Sequence, residues 1–248
     1  MQIILSPTKT MRQDTAAAPR TVPVYLEDTR RLLARLQTMP YADLQAMWGC
    51  NESLALQNQQ RLAEMDLSAG LTPALFTYEG ISFQYLDADT LTEPQLDWMQ
   101  EHLHILSGFY GALRPMDGIR PYRLEMQSRL RVDDKKDLYA FWGGRLYQAV
   151  RDDSGVIVNL ASKEYAKCIE KYLTPADRCI TCIFGEMVKG RLVQKGTFAK
   201  MARGLMVRYL AETAAQTPEA MQGFSQLGFA FRPDLSSDTT YVFERTPE

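Results

Sequence analysis

A chain of 248 residues, 46% of them hydrophobic and 23% charged, can bury a sizeable core without disulfides or metals. Its formal net charge of −2 excludes a uniformly basic nucleic-acid binder, and no apolar run approaches a membrane span. The first residues offer only Ile3 to Leu5 before Ser6 and Pro7, so no signal sequence is expected and a cytoplasmic, soluble protein is.

The charge is unevenly placed. Residues 1–110 carry 7 Lys+Arg against 13 Asp+Glu, residues 111–210 carry 19 against 11, and the remainder carries 2 against 6. Positive charge is confined to a central segment. Of Cys50, Cys168, Cys179 and Cys182, only the last two have a suggestive spacing. They fall in an apolar run that reads as a strand, where positions i and i+3 face opposite sides, so they read as buried small hydrophobes. With two histidines, His102 and His104, no metal site and no cofactor are expected.

Taken in order, MQIIL reads as a buried strand running into Ser6-Pro7-Thr8-Lys9-Thr10. That loop lacks the glycines of a phosphate-cradling loop, and its hydroxyls beside Lys9 suit an anion or a solvated turn equally. Residues 13–23 read as an irregular connection. Leucines at helical spacing predict a helix over Tyr25 to Met39, and Asn51 predicts a capped helix to about Met65. Thr92 and Pro94 start a helix whose stripe Leu96, Met99, Leu103 and Leu106 is expected to run to Leu106, where Gly108 stops it, with His102 half-buried at its edge.

LSGFYGALRPMDGIRPYRLEM (106–126) concentrates glycine, proline and arginine and reads as a rigid anion-binding turn. Residues 137–150 predict a helix interrupted at Gly143-Gly144. Val156 to Leu160 is a buried strand feeding Ser162, Lys163, Glu164 and Tyr165, and polar groups at such a strand end are where α/β proteins place ligands. A hairpin turning at Lys189-Gly190 follows. In the helix after it, Phe198, Met201, Ala202, Leu205 and Tyr209 form one face and Lys200, Arg203 and Arg208 the opposite arc. Gly204 leaves room there for a phosphate, a base or another backbone. Tyr241 to Phe243 is expected to close a sheet edge.

SPTKT, HLHILSGFYGALRPMDGIRPYRLEM, LYAFWG, VNLASKEY, KMARGLMVR and the GFxxxGFxF pattern of residues 223–231 together resemble, in the same order, the motifs of the YaaA family of bacterial peroxide-stress proteins. The resemblance implies a single α/β domain spanning 1–248, a mixed sheet surrounded by helices, a helix-hairpin-helix element, a positively charged cleft and duplex or branched DNA as partner. It also implies a role in surviving hydrogen peroxide. Motif positions include Ser6, Lys9, Tyr110, Pro115, Asp117, Tyr122, Trp142, Asn159 and Glu164. Thr8 stands where alanine is usual, Cys179 and Cys182 match nothing, and the spacing of Gly108 and Gly111 is one residue longer than in the usual hairpin.

Two functions follow. A DNA-binding protein would use Lys9, Ser107, Gly108, Gly111, Arg114, Arg123, Lys163, Lys200, Arg203 and Arg208 to hold phosphates. An enzyme acting on a phosphate- or carboxylate-bearing substrate would draw on Glu125, Ser162, Lys163 and Tyr165, unless Glu125 only orients Arg123 as a structural ion pair. A deep pocket favours the enzyme and a long shallow groove favours DNA.

Overall fold

The structure, a computed structural model, describes residues 1–13 and 17–246; residues 14–16, within the expected connection, lie outside the described residues. Its strands are β1 (Gln2–Leu5), β2 (Thr72–Pro73), β3 (Leu103–Ser107), β4 (Gly111–Leu113), β5 (Gly118–Ile119), β6 (Val156–Leu160), β7 (Arg178–Val188), β8 (Arg191–Val193), β9 (Phe229–Phe231) and β10 (Thr240–Arg245). Eight of them form one mixed sheet in the order β4-β3-β1-β6-β7-β10-β9, with β8 paired to β7. The five central strands β3, β1, β6, β7 and β10 are parallel, and β4, β8 and β9 are antiparallel to their neighbours. Ile3, Ile4, Leu103, Ile105, Leu106, Val158 and Leu160 are fully buried, as a parallel sheet covered on both faces requires. Each such side chain contributes about 1.5–3 kcal/mol by leaving water.

The expected helices occur at Leu26–Gln37, Glu52–Ala63, Leu138–Trp142, Arg145–Val150 and Gly196–Glu212, and Asn51 caps the second by accepting from the Leu54 amide at 3.0 Å. A helix at Tyr41–Trp48, not foreseen, precedes it across a three-residue turn. The helix expected over 92–106 ends at His102, and Leu103 to Ser107 forms β3 instead. The leucine spacing was ambiguous because a strand buried on both faces is apolar at every position. Likewise β10 does not close an edge: it lies between β7 and β9.

The Ser107 to Gly111 turn joins two strands rather than two helices, so the expected helix-hairpin-helix does not lie there. Ser107 Oγ accepts from the amides of Phe109 (3.1 Å) and Tyr110 (2.8 Å) and contacts Tyr122 Oη at 2.6 Å, which in turn meets Tyr78 Oη at 2.9 Å. The whole hub is buried. A side chain at Gly108 would come within 2.6 Å of the Leu124 carbonyl, so this glycine lets residues 124–126 cross the turn.

The sheet order fixes where a ligand can enter. From β1 the chain passes to β3 on one side, and its next parallel neighbour, β6, lies on the other. The segments leaving the carboxyl ends of β1 and β6 therefore diverge, opening a crevice at Ser6 and Ser162.

Candidate functional site

That crevice is a pocket of about 490 Å³. Its walls come from the Ser6–Thr10 loop, residues 80–82, residues 122–125, the start of the helix Lys163–Glu170, and Lys200 and Arg203 of the helix Gly196–Glu212. Ser6 Oγ accepts from the Ser162 amide at 2.8 Å and lies 3.2 Å from Ser162 Oγ, tying the two strand ends together. The side chain of Ser162 does not cap the helix it precedes.

Lys9 Nζ contacts Glu125 Oε1 at 2.9 Å, with Arg123 more distant at 3.8 Å. Glu125 thus belongs first to Lys9. Arg123 donates to the Trp48 carbonyl at 3.2 Å while Trp48 Nε1 donates back to the Arg123 carbonyl at 2.7 Å, bracing the Tyr41–Trp48 helix against the pocket. Glu164 accepts from the Gln127 amide at 3.2 Å. Burial, and then the neighbouring Glu125, push its carboxyl above the usual carboxylate range while Lys9 pulls it down. Tyr165 is buried and its phenol is held well above its ordinary value by burial, so it is a neutral donor at physiological pH.

Lys200 and Arg203 reach this pocket because their helix packs closely against Ile81–Leu86. A Cβ at Gly204 would sit 1.9 Å from the Ser82 carbonyl oxygen; the room this glycine leaves is filled by backbone. The expected apolar face is also rotated. Ala199, Ala202, Met206 and Leu210 are buried, whereas Phe198, Met201, Leu205 and Tyr209 are only partly so, because the helix is covered by both the sheet and a second helix. Arg203 is consequently desolvated, which lowers its pKa. Only three buried side-chain polar atoms among the described residues lack a hydrogen-bond partner, and two are Arg123 Nε and Arg203 Nε.

Of the residues anticipated from sequence, Lys9, Arg123, Glu125, Ser162, Tyr165, Lys200 and Arg203 are brought together. Others are not. Ser107, Gly108 and Gly111 are consumed in the buried hairpin. Arg114 donates to the carbonyls of Gln100 (3.1 Å) and Glu101 (2.9 Å), closing the helix Glu93–His102 at the opposite end of the sheet. Arg208 is held by Glu212 and by the Leu86 and Asp87 carbonyls. Lys163 is exposed beside the pocket without lining it. Gly80, Ile81 and Ser82 were missed; nothing local in YEGISFQY marks them, since only tertiary packing carries them to the β1 loop.

A family model described as peroxide stress protein YaaA matches residues 1–235. The chain belongs to the peroxide stress protein YaaA family. Its relatives in that family include a UPF0246 protein of Agathobacter rectalis, 51% identical over 99% of both chains. Another, from Lachnoclostridium phytofermentans, is 47% identical over 98% of this chain and 96% of its own, and one from Pediococcus pentosaceus is 47% identical over 98% and 97%. Among the described residues of this YaaA-family chain, no helix is long and apolar enough to cross a membrane.

Proposed function

We propose that this chain is a DNA-binding protein of the peroxide-stress response that holds backbone phosphates on the cationic mouth of the pocket. One observation carries the reading. Four cations from three separate segments, Lys9, Arg123, Lys200 and Arg203, converge on one opening with two carboxylates, Glu125 and Glu164, a local balance of +2 in a chain whose net charge is −2. Concentrated cations release counterions on meeting phosphate and need no base contact. A helix-hairpin-helix is best sought at Tyr41–Trp48 and Glu52–Ala63, whose short turn holds Gly49 at φ +54 and which Arg123 braces against the mouth.

With Lys9 neutralised by Glu125 and the guanidiniums of Arg123 and Arg203 buried, the exposed Lys163 and Lys200 leave about two phosphates to engage, and the log–log salt slope is expected at about −1.8. Titrating duplex and junction DNA across salt checks this. Lys200→Ala is expected to make the slope shallower by about 0.9, and affinity that stays constant between low and moderate salt would rule the reading out. A second reading, an enzyme acting on a phosphate- or carboxylate-bearing substrate, is favoured by the depth of the pocket and by the two neighbouring carboxylates, Glu125 and Glu164, that share it. It expects labelled nucleotide or DNA to be converted to product and the conversion to disappear in Glu164→Gln.

A further inference from the structure

A duplex cannot enter a pocket of about 490 Å³, yet the two unpartnered guanidinium nitrogens are buried in residues lining it. Buried donors without partners are uncommon in folded proteins and ask for an explanation. Arg203 is the sharper case. It has no carboxylate within ion-pair distance among the described residues, and a desolvated cation without a counter-charge is costly. An anion that reaches into the pocket removes that cost; a phosphate left at the rim does not.

The pocket is also polar at two places rather than one. Glu164 interacts electrostatically with Glu125 and Lys9, so these three form one cluster. Among the described residues no carboxylate pairs with Arg203, whose titratable neighbour is the buried, neutral Cys182 thiol, and Lys200 lies one turn before it on the same helix. A cationic seat and a carboxylate cluster are thus distinct, and Leu5, Met11, Ile81, Leu124 and Leu160 line the walls with them. The volume falls within the range of roughly 300–1,000 Å³ common to small-molecule sites, and the place is a strand-order reversal.

We infer that this pocket seats a single nucleotide unit, its phosphomonoester on Arg203 and Lys200, its sugar and base against the apolar wall, and its hydroxyl or amine donors on Glu125 and Glu164. The unit has two sources, a free nucleoside 5′-monophosphate or the 5′-phosphorylated end of a DNA strand. The second source rests on the DNA reading; the first stands without it.

Calorimetric titration of the full chain with a deoxynucleoside 5′-monophosphate, the matching nucleoside and inorganic phosphate tests the seat. The expected result is saturable binding of the monophosphate, no binding of the nucleoside, weaker binding of inorganic phosphate, and a loss of about tenfold or more in Arg203→Gln that Arg203→Lys partly restores. In parallel, duplexes ending in 5′-phosphate and 5′-hydroxyl are compared. An affinity difference of about tenfold that vanishes in Arg203→Gln assigns the strand end as the source and supports the inference even without free-nucleotide binding.

Because Arg203 lacks a counter-charge, Arg203→Gln without ligand is expected to melt no lower than the parent, which a purely structural arginine would not do. Should it not fold, Lys200→Gln at an exposed position carries the same comparison. Inorganic phosphate binding as tightly as the monophosphate overturns the inference, as does the absence of both monophosphate binding and end dependence. Salt-dependent duplex binding surviving that failure leaves the DNA reading standing, whereas monophosphate binding with no duplex binding at any salt overturns the DNA reading alone.

Discussion

Gly204→Ala isolates the contact that delivers Lys200 and Arg203 to the pocket. The new Cβ would lie 1.9 Å from the Ser82 carbonyl oxygen, 2.8 Å from its carbon and 3.0 Å from the Leu86 amide, where ordinary contact begins at 3.4 Å. All three are backbone atoms, so no side chain can swing aside, and the helices Ile81–Leu86 and Gly196–Glu212 must separate by about 1.5 Å, the shortfall in the closest contact. Alanine in place of glycine gains about 1 kcal/mol of helix propensity. Overpacking costs typically about 1–3 kcal/mol and occasionally more; with three backbone contacts that cannot relax by a rotamer change, the cost here is expected at about 3–4 kcal/mol. The expected net loss is about 2–3 kcal/mol, or roughly 4–12 °C in melting temperature for a chain of this size. Urea denaturation followed by circular dichroism measures it, and a midpoint equal to or above that of the parent would mean that the two helices do not meet at Gly204.

Ser107→Ala strands the Phe109 and Tyr110 amides and removes one partner of Tyr122. A loss of about 3 kcal/mol or more is expected by denaturation, with no change in the salt slope of DNA binding. Arg114→Ala is likewise expected to lower the melting temperature and leave DNA affinity within twofold, since its guanidinium is spent on helix carbonyls. His104 is buried against Gln2 at 3.1 Å, and burial followed by Arg114 pushes its pKa from 6.5 down to about 3. Its unfolded form binds a proton between those values and its folded form does not. Stability is therefore complete above pH 6.5 and falls as the pH drops toward 3, by about 2–3 kcal/mol between pH 7 and 4.5. His104→Gln should flatten that dependence in denaturation curves; an unchanged slope would show that His104 charges without cost.

Local patterns made several elements legible before any coordinates. MQIIL and VIVNL are apolar and buried along almost their whole length, Asn51 marks its helix by capping, and Lys189-Gly190 announces its turn through backbone that only positive φ satisfies. Where apolar periodicity had two solutions, as at Leu103 and Leu106, the covering layers decided, and a sequence does not display them. The site was legible in its residue types and not in their assignments. Lys9, Glu125, Ser162 and Arg203 come from four segments whose meeting follows from strand order. Arg114 and Arg208 resembled phosphate ligands because an arginine bound to helix-end carbonyls has the same sequence signature as a free one. The glycines at 108 and 204 show the same ambiguity, since room for a ligand and room for backbone look alike until the neighbour is known.

Hydrogen peroxide attacks sulfur as thiolate and hardly as thiol. Burial pushes the Cys168 and Cys182 thiols up to about 12 and the Cys179 thiol up to about 11, leaving almost none of their sulfur ionised near neutrality. Those three positions are thus chemically quiet toward the oxidant around which this family's role is organised. A thiolate sensor of peroxide would need its sulfur exposed and ionised, and neither condition is met at Cys168 or Cys182.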